Sequence, residues 1–175
     1  ELVGRLADWP GYLVAFALLE GTPGRPGGYV RGIADSFATG LGPTRAVVGR
    51  IRDERRDATT IELHGLDDLA GAIPVRLSTA GRHNAANATG VAAVAHALGV
   101  SPTAIAAGLA SFEGVGRRLE RLGERAGVMV YDDYGHHPTA IRETLAAVRQ
   151  REPGRRVWAV YEPLTYHRTA ALFDA

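Results

Sequence analysis

Residues 128–150 read VMVYDDYGHHPTAIRETLAAVRQ, and this stretch decides the predicted fold. The apolar run 128–131 has the length of a buried strand, and Pro138 opens a helix that extends to Gln150. A second apolar run follows at 157–161. Continuous apolar strands on either side of a helix are typical of a βαβ unit in a parallel sheet covered on both faces. We therefore predict the beginning of a parallel, doubly covered sheet here.

Upstream of this unit, the sequence predicts two short, Ala-rich helices. The first extends from about Asn84 to Leu98 and ends at Gly99, a residue suited to the left-handed backbone that follows a helix. The second begins at once, with Ser101 as N-cap and Pro102 at the first helical position. Small side chains dominate both helices, so we expect them to pack closely against a neighbouring layer.

The first part of the chain predicts strands. An apolar run spans 12–18, a Gly- and Pro-rich loop spans 21–28, and strand-like segments follow at 46–51, 59–64 and 73–78. In the last two segments apolar and polar residues alternate, which is typical of a sheet with one face in solvent. We predict a small antiparallel sheet, half solvated.

A Gly-punctuated connector, FEGVGRR at 112–118, separates the two patterns. We place a domain boundary near residue 113, with one domain part at 1–113 and another at 114–175. Two strands do not complete a parallel sheet. We therefore expect the chain to be a fragment, or its sheet to be completed by the rest of a parent chain or by a partner.

The composition excludes several classes of site. All 20 cationic Lys and Arg residues are Arg, so neither a Walker A lysine nor a Schiff-base lysine is available, and the absence of Cys excludes disulfides and thiolate catalysis. A net charge of +1 argues against a nucleic-acid partner. No apolar run is long enough to span a membrane, and the first residues lack the pattern of a signal peptide, so we expect a cytoplasmic protein.

A first candidate site is His83-Asn84-x-x-Asn87, at the predicted start of a helix. Amides three residues apart lie on one helix face, and each offers a donor and an acceptor, as the edge of adenine requires. The alternative interpretation is that Asn84 only caps the helix and that His83 is a loop residue.

A second candidate is Asp132-Asp133-Tyr134-Gly-His136-His137, between the predicted strand and the next helix. Ligands bind at this edge of open parallel sheets. Two acids and two imidazoles could hold a metal, act as acid and base, or orient a ribose and an incoming amine. The structural interpretation is that one Asp caps the helix and that one His is a buried, hydrogen-bonded side chain.

Two further candidates carry arginine. Arg117 and Arg118 in the connector could bind a phosphate or a carboxylate in bidentate fashion, although a solvated pair is the commoner explanation. After the second apolar run, His167 and Arg168 could bind an acidic or zwitterionic substrate, and a solvated loop explains them equally well.

The segments GRHNAANATGVAAVAHALGV, SFEGVGRRLE, VYDDYGHHPTAI and YEPLTYHRTAALFDA resemble, in this order, the Mur ligase family. Within the family they are most similar to the branch that joins L-alanine to UDP-N-acetylmuramate. The resemblance covers about half of the chain, from Gly81 onward. It implies the end of a central ATPase domain followed by the start of a Rossmann-like C-terminal domain, in a mixed α/β fold.

The resemblance also implies a reaction and roles for residues. Such ligases use ATP and Mg²⁺ to convert a carboxylate into an acyl phosphate, which an amino acid's amine attacks. By resemblance, ATP contacts His83, Asn84, Asn87, Arg118 and Asp133. The same comparison gives Asp133, His136 and His137 a catalytic role and Arg168 a role in binding the amino acid. No residue of this stretch is assigned as a metal ligand, since those for Mg²⁺ would lie mostly elsewhere.

Two departures from the family pattern leave the function open. Glu162-Pro163 stands where a segment with His and Arg commonly binds the amino acid, and a ligase that recycles murein tripeptide shows a similar dipeptide. The phosphate loop is also missing, so this stretch alone should not turn over ATP. A non-catalytic nucleotide-binding or interaction module would fit that absence, and a hydrolase with a His/Asp metal site would fit the acids and imidazoles at 132–137.

Overall fold

The computed structural model describes residues 15–19, 46–66, 71–163 and 165–171. The fold is of the mixed α/β class, as predicted. Its strands are β1 Ala15–Leu19, β2 Ala46–Arg55, β3 Ala58–His64, β4 Ile73–Leu77, β5 Glu120–Arg125 and β6 Val128–Asp132. Its helices are α1 Arg82–Ala97, α2 Pro102–Ser111, α3 Pro138–Arg151 and α4 Tyr166–Ala171. We call residues up to 111 the first lobe and residues from 120 onward the second lobe; the connector between them, predicted at 112–118, spans 112–119.

The first lobe contains a four-stranded sheet in the order β1-β2-β3-β4. Strands β2, β3 and β4 pair antiparallel, as predicted, with Ile61 opposite Ile51 on one side and Val75 on the other. No pairing was predicted for the first strand, and β1 runs parallel to β2. Residues 12–14 of that predicted strand and the predicted loop at 21–28 lie outside the described residues.

The core of the first lobe lies between one face of this sheet and α1 and α2. The alternation seen in the sequence holds, because Ile61, Leu63, Val75 and Leu77 are buried. The full cluster of buried residues is Val47, Ile61, Leu63, Leu66, Val75, Leu77, Ala85, Ala88, Ala92, Ala93 and Ile105. Alanines on α1 let the helix lie close to the strands, which is what the Ala-rich sequence predicts.

The two helices of the first lobe confirm the predicted pattern with a shift at one end. Helix α1 begins at Arg82, two residues before the predicted start, and its N-cap is Gly81 with φ +97° and no side-chain cap. Gly99 follows the helix with φ +84°, in the left-handed region. Ser101 caps α2 as predicted, with its hydroxyl accepting the Ala104 N–H at 3.3 Å.

The second lobe differs from the predicted βαβ unit. Strand β6 pairs antiparallel with β5 in a two-stranded hairpin, and Val128 on it is 62% exposed. Residues 157–161 form no strand, and Trp158 and Val160 are 77% and 98% exposed. A parallel strand needs pairing neighbours and cover on both faces. Within the described residues the run 128–131 pairs antiparallel with β5 and the run 157–161 pairs with no strand, so the predicted parallel pairing is absent there.

Helix α3 of the second lobe was predicted correctly. Its N-cap is His137, Pro138 occupies the first turn, and Ala147 is fully buried. The helix extends from the loop after β6 back to the first lobe, which it contacts near its C-terminal end. This orientation brings the loop at 133–137 beside the start of α1.

Candidate functional site

A cleft of about 1090 Å³ opens between α1 and α2 on one side and the loop before α3 on the other. Its wall combines polar side chains from both lobes with apolar side chains from α1 and α2. The candidate residues that line it are His83, Asn84, Asn87, Arg118, Asp133 and His137. The two separate sequence motifs therefore face one cavity.

His83 lies in the first turn of α1 and is half-buried. Its Nδ1 atom is buried and has no hydrogen-bond partner among the described residues. Burial lowers the pKa of the imidazole, an effect that Glu143 and Asp133 oppose and Arg118 reinforces. His83 therefore presents a neutral ring at neutral pH, in which one nitrogen is available to a ligand.

The two amides of α1 differ in how far the protein uses them. Asn84 Nδ2 donates to the Ala80 carbonyl at 2.7 Å, so the side chain returns to the preceding turn and does not cap the helix. The capping interpretation of Asn84 is therefore wrong, because Gly81 occupies the cap position. Asn87 is exposed, and within the described part of the chain its amide makes no hydrogen bond. Its donor and acceptor remain free on the cleft wall.

Asp133 is held in place by backbone donors. Its Oδ2 accepts the Leu119 N–H at 2.9 Å, and its Oδ1 accepts the Gly135 N–H at 2.7 Å. Both carboxylate oxygens thus shape the loop, and Asp133 also lines the cleft. A carboxylate that is fixed in this way keeps one orientation, which suits it to contact a polar ligand group.

The neighbouring acid has a different surrounding. Asp132 pairs with Arg117 at 3.3 Å between Oδ2 and Nε, and the Arg117 guanidinium lies 5.1 Å from the centre of the Tyr134 ring. The Tyr134 N–H also donates to the Arg117 carbonyl at 2.9 Å. Arg117 therefore holds the loop to the connector, as a structural residue.

Arg118 has the opposite character. Its guanidinium makes no hydrogen bond or ion pair with the described residues. It lines the large cleft and also a second, more polar cleft of about 750 Å³. Of the adjacent arginine pair, Arg118 is the one left available for an anionic ligand.

The two adjacent histidines separate in the structure. The Nδ1 atom of His137 accepts the Thr139 N–H at 3.3 Å and caps α3, so the expectation that an Asp would cap this helix is wrong. His137 lines the cleft. His136 is not among the lining residues, and its ring lies edge-on to Tyr134 at 5.4 Å between centroids. Of the pair, only His137 borders the cleft.

The remaining candidates lie apart from this cleft. Arg168 belongs to α4, and its side chain lies outside the described residues. His167, its neighbour, is exposed and does not line either cleft. The structure therefore brings no residue of α4 to the cavity in the described part of the chain.

Sequence reasoning missed two groups in the cleft. The first is an apolar wall that includes Val91 and Phe112, which are 57% and 49% exposed. Val91 lies four residues after Asn87 and so on the same helix face, a signal that could have identified it. The second is Glu143, which reaches the cavity from α3. The position of Glu143 in the sequence, after the loop motif, gives no comparable indication that it faces the cleft.

Two absences in the described residues concern metals and membranes. No group of three or more His, Asp or Glu side chains there is arranged to hold a metal ion. None of the helices in the described ranges has the length and apolarity to cross a lipid bilayer.

Comparison with known proteins links these features to a family. The sequence profile described as "Mur ligase, glutamate ligase domain" matches residues 117–175. The chain is 48% identical over 120 residues to the UDP-N-acetylmuramate–L-alanine ligase of Sinorhizobium fredii, covering 69% of this chain and 24% of that protein. It is 52% identical over 99 residues to the ligase of the same name from Nitratidesulfovibrio vulgaris, covering 57% and 22%. The chain spans about a quarter of the length of these relatives.

Solved structures give the same relationship. A UDP-N-acetylmuramoylalanyl-D-glutamyl-2,6-diaminopimelate–D-alanyl-D-alanyl ligase from Acinetobacter baumannii matches with a TM-score of 0.54 at 25% identity, over 77% of this chain and 30% of its own. The UDP-N-acetylmuramate-alanine ligase from Thermotoga maritima matches with a TM-score of 0.52 at 25% identity, over 60% and 24%.

Proposed function

Because this chain belongs to the Mur ligase family, we propose that it is part of an ATP-dependent ligase of peptidoglycan precursor synthesis. The proposed reaction joins an amino acid, L-alanine, to the carboxylate of UDP-N-acetylmuramate. The proposed setting is the cytoplasm, and the remainder of the parent chain would supply the phosphate loop and complete the sheet of the second lobe. The 175 residues alone are then inactive.

The observation that carries the proposal is the shared cleft. Asn84 and Asn87 line it from the first lobe, and Asp133 and His137 line it from the second. A ligase of this kind has to bring a nucleotide and two other substrates together, and a cavity between two lobes provides a place where groups from both can meet.

The wall of the first lobe fits an adenine base. Asn87 has a free amide donor and acceptor, and Asn84 keeps its carbonyl oxygen after its amide nitrogen binds the Ala80 carbonyl. The exposed apolar side chains of Val91 and Phe112 can cover a flat ring beside these amides. The buried, unpartnered Nδ1 of His83 adds a third polar group. This combination of polar edge and apolar face suits a nucleobase.

Arg118 suits the charged end of the nucleotide. It is exposed, has no anionic partner among the described residues, and follows directly on the loop-holding Arg117. When bound, ATP with Mg²⁺ supplies the phosphoryl group that activates the substrate carboxylate. Arg118 would hold phosphate oxygens through its guanidinium fork, and Asp133, which accepts the N–H of the next residue Leu119, would face the nucleotide beside it. The residues that bind Mg²⁺ would lie mostly outside this stretch.

We assign His137 rather than His136 to the side of the cleft where the reaction takes place. Its Nδ1 accepts the Thr139 N–H, which fixes the ring and leaves Nε2 with the proton of a neutral imidazole. Such an N–H can orient an oxygen of a substrate. His136, whose ring contacts Tyr134, would support the loop. Arg168 remains our proposal for the carboxylate of the amino acid.

The domain division is also a proposal. We place the boundary near residue 113, so that 1–113 is the end of a central ATPase domain and 114–175 the start of a C-terminal domain. The connector supports it, since its glycines at 114 and 116 separate α2 from the hairpin of the second lobe. The matched family profile begins close by, at residue 117.

One sequence feature favours a second function within the same family. Glu162-Pro163 follows the apolar segment at 157–161, and this dipeptide resembles the one found in ligases that recycle murein tripeptide onto UDP-N-acetylmuramate. Both reactions would use the same nucleotide cleft. They differ in the amine substrate, so a substrate test separates them.

The test uses the full-length protein that contains these residues. Release of ADP and phosphate is measured with UDP-N-acetylmuramate and either L-alanine or the murein tripeptide. We expect turnover with L-alanine and a strong loss of turnover in Arg118→Ala, with Arg125→Ala, an exposed arginine away from the cleft, as the matched control. Turnover with the tripeptide alone would support the recycling ligase, and no turnover with either amine would favour a non-catalytic nucleotide-binding module.

A further inference from the structure

The C-terminal end of α3 contacts a turn of the first lobe that is distant in sequence. Gln150 makes the central contact: its Oε1 accepts the Gly81 N–H at 2.9 Å, and its Nε2 donates to the Arg55 carbonyl at 2.7 Å. One amide thus joins the start of α1 to the turn between β2 and β3. Because Oε1 accepts and Nε2 donates, the orientation of this amide is fixed at both ends.

A charged group lies beside this amide. Glu152 is 8% exposed, and its Oε2 pairs with Arg56 Nη2 of the same turn at 3.0 Å. Its Oε1 accepts the Tyr131 hydroxyl at 2.8 Å, and Arg155 approaches Oε2 at 3.4 Å. Arg56 Nε also donates to the Arg151 carbonyl at 2.7 Å. A buried carboxylate with this many partners is costly to disturb.

The Glu152 carboxyl is ionised at neutral pH. The hydrogen bond from Tyr131 lowers the pKa of the carboxyl, with further help from Arg155 and Arg56, and burial opposes them. Burial and the same contact raise the pKa of Tyr131. Glu152 therefore remains an anion and Tyr131 a donor throughout the ordinary pH range.

Close packing reinforces these bonds. Gly81 lies so near α3 that a Cβ built on it would be 2.9 Å from the Ala147 Cβ and 2.7 Å from the His83 ring. The start of α1, with His83, therefore rests directly on the last turns of α3. The other end of α3 begins at the loop that carries Asp133 and His137.

We propose that Gln150, Glu152 and Arg56 form an interlobe clamp that sets the width of the cleft and thereby positions Asp133 and His137 opposite Asn84 and Asn87. Helix α3 acts as a rigid rod: its C-terminal end is fixed to the first lobe, so its N-terminal end is held at one distance from α1. The three are positioning residues, since none of them lines the large cleft. The inference does not depend on which reaction the protein catalyses.

A distance measurement tests the clamp. The 175 residues contain no cysteine, so Thr103→Cys on α2 and Arg125→Cys on β5, both exposed, place one spin label on each lobe. In the full-length protein, with other cysteines replaced by serine, we expect one narrow distance peak from pulsed electron resonance. In Gln150→Ala/Arg56→Ala the peak should broaden or move by more than about 2 Å. Arg149→Ala, an exposed neighbour on α3, is the matched control and should keep the narrow peak.

A second readout separates positioning from loss of fold. Circular dichroism and thermal unfolding verify that the variants fold. If the double variant does not fold, the distance measurement is made on Gln150→Glu. This variant keeps the acceptor for the Gly81 N–H and loses the donor to the Arg55 carbonyl. Where ATP is turned over, the clamp variants should raise KM for ATP more than they lower kcat. A folded clamp variant with the unaltered peak would overturn the proposal, whether or not the protein is a ligase.

Discussion

The Asp133 carboxylate accepts the backbone N–H of Leu119 at 2.9 Å, which ties the end of β6 to the end of the connector. Leu119 adopts φ +51°, in the left-handed region, and Arg117 two residues before it has φ +58°. Non-glycine residues seldom adopt this backbone unless their surroundings fix it. The bond from Asp133 helps to hold the connector in the conformation that directs Arg118 to the cleft.

Replacing this carboxylate should therefore affect stability as well as function. In Asp133→Asn one of the two backbone N–H groups, of Leu119 or Gly135, loses its acceptor and meets an amide N–H₂. We expect the free energy of unfolding to fall by about 1–3 kcal/mol, and turnover of the full-length protein to fall with it. Urea denaturation and a steady-state assay measure the two effects.

Asp132→Asn is the control for Asp133. It removes a partly exposed ion pair with Arg117, and such pairs contribute about 0–1 kcal/mol. Equal stability of wild type and Asp133→Asn would show that the two backbone bonds do not hold the connector.

The pH dependence of stability follows from His83. Burial lowers its pKa below the ordinary value of 6.5, despite the opposing charges of Glu143 and Asp133, so the folded protein favours the neutral ring. The unfolded chain binds the proton more readily in the window between that lowered pKa and 6.5. The contribution of His83 is therefore complete above pH 6.5 and is lost as the pH falls through this window. Thermal unfolding from pH 7.5 down to pH 5 measures the loss.

His83→Asn should flatten this part of the stability profile, because the titrating group is gone. His136→Asn, which removes a histidine outside the cleft, is the matched control. An identical slope in wild type and His83→Asn would mean that burial of this ring does not couple to folding.

Removing the free amide of the cleft should weaken nucleotide binding without unfolding the protein. Asn87 makes no hydrogen bond within the described part of the chain, so Asn87→Ala leaves no unsatisfied protein group behind. A neutral hydrogen bond contributes about 0.5–1.5 kcal/mol. We expect the apparent KM for ATP to rise by a corresponding factor of about 2–10, at an unchanged melting temperature. Val94→Ala, on the solvent side of α1, serves as control, and an unaltered KM in Asn87→Ala would mean that this amide does not contact the nucleotide.

The close contact between α1 and the sheet gives a prediction for stability alone. A Cβ added at Gly49 would collide with the hydroxyl of Thr89, which is fully buried and donates to the Ala85 carbonyl at 2.8 Å. Gly49→Ala should therefore destabilise the protein by about 1–3 kcal/mol. In the Thr89→Ala background the cost should be smaller, because the colliding atom is absent.

Gly108→Ala should change the free energy of unfolding in the opposite direction. A Cβ there meets nothing within 4 Å, and the position lies inside α2, so we expect it to stabilise the helix by about 1 kcal/mol. Chemical denaturation of the full set measures these differences. Additive effects of Gly49→Ala and Thr89→Ala would mean that the two sites do not touch.

Features with a local physical cause could be predicted from the sequence. Ser101 caps α2 because its hydroxyl reaches the N–H three residues on, and Pro138 marks the start of α3 because its ring fixes φ in the helical region. The alternation around Ile61 identified the buried face of β3 in the same way. Such signals lie within a few residues of the structure that they determine.

Features that depend on distant partners could not be predicted in this way. The apolar run 128–131 gives no information about which strand it pairs with. Its partner β5, with the sequence ERLGER, is almost entirely exposed, so it lacks the pattern of apolar residues that indicates a strand. In the site, the sequence predicted Asn87 and Asp133 as candidate ligand-binding residues. It did not reveal that backbone donors hold Asp133, or that Gln150 joins α3 to the Arg55 carbonyl, 95 residues away in the sequence.

The central claim is that the wall of α1 and the loop before α3 bind the same nucleotide. Photo-crosslinking of the full-length protein with 8-azido-ATP, followed by peptide mapping, tests it most directly. We expect labelled residues within 83–91 or 133–144, with labelling suppressed by excess ATP and reduced in Asn87→Ala. Labelling that is suppressed by ATP but confined to other parts of the protein would contradict the account.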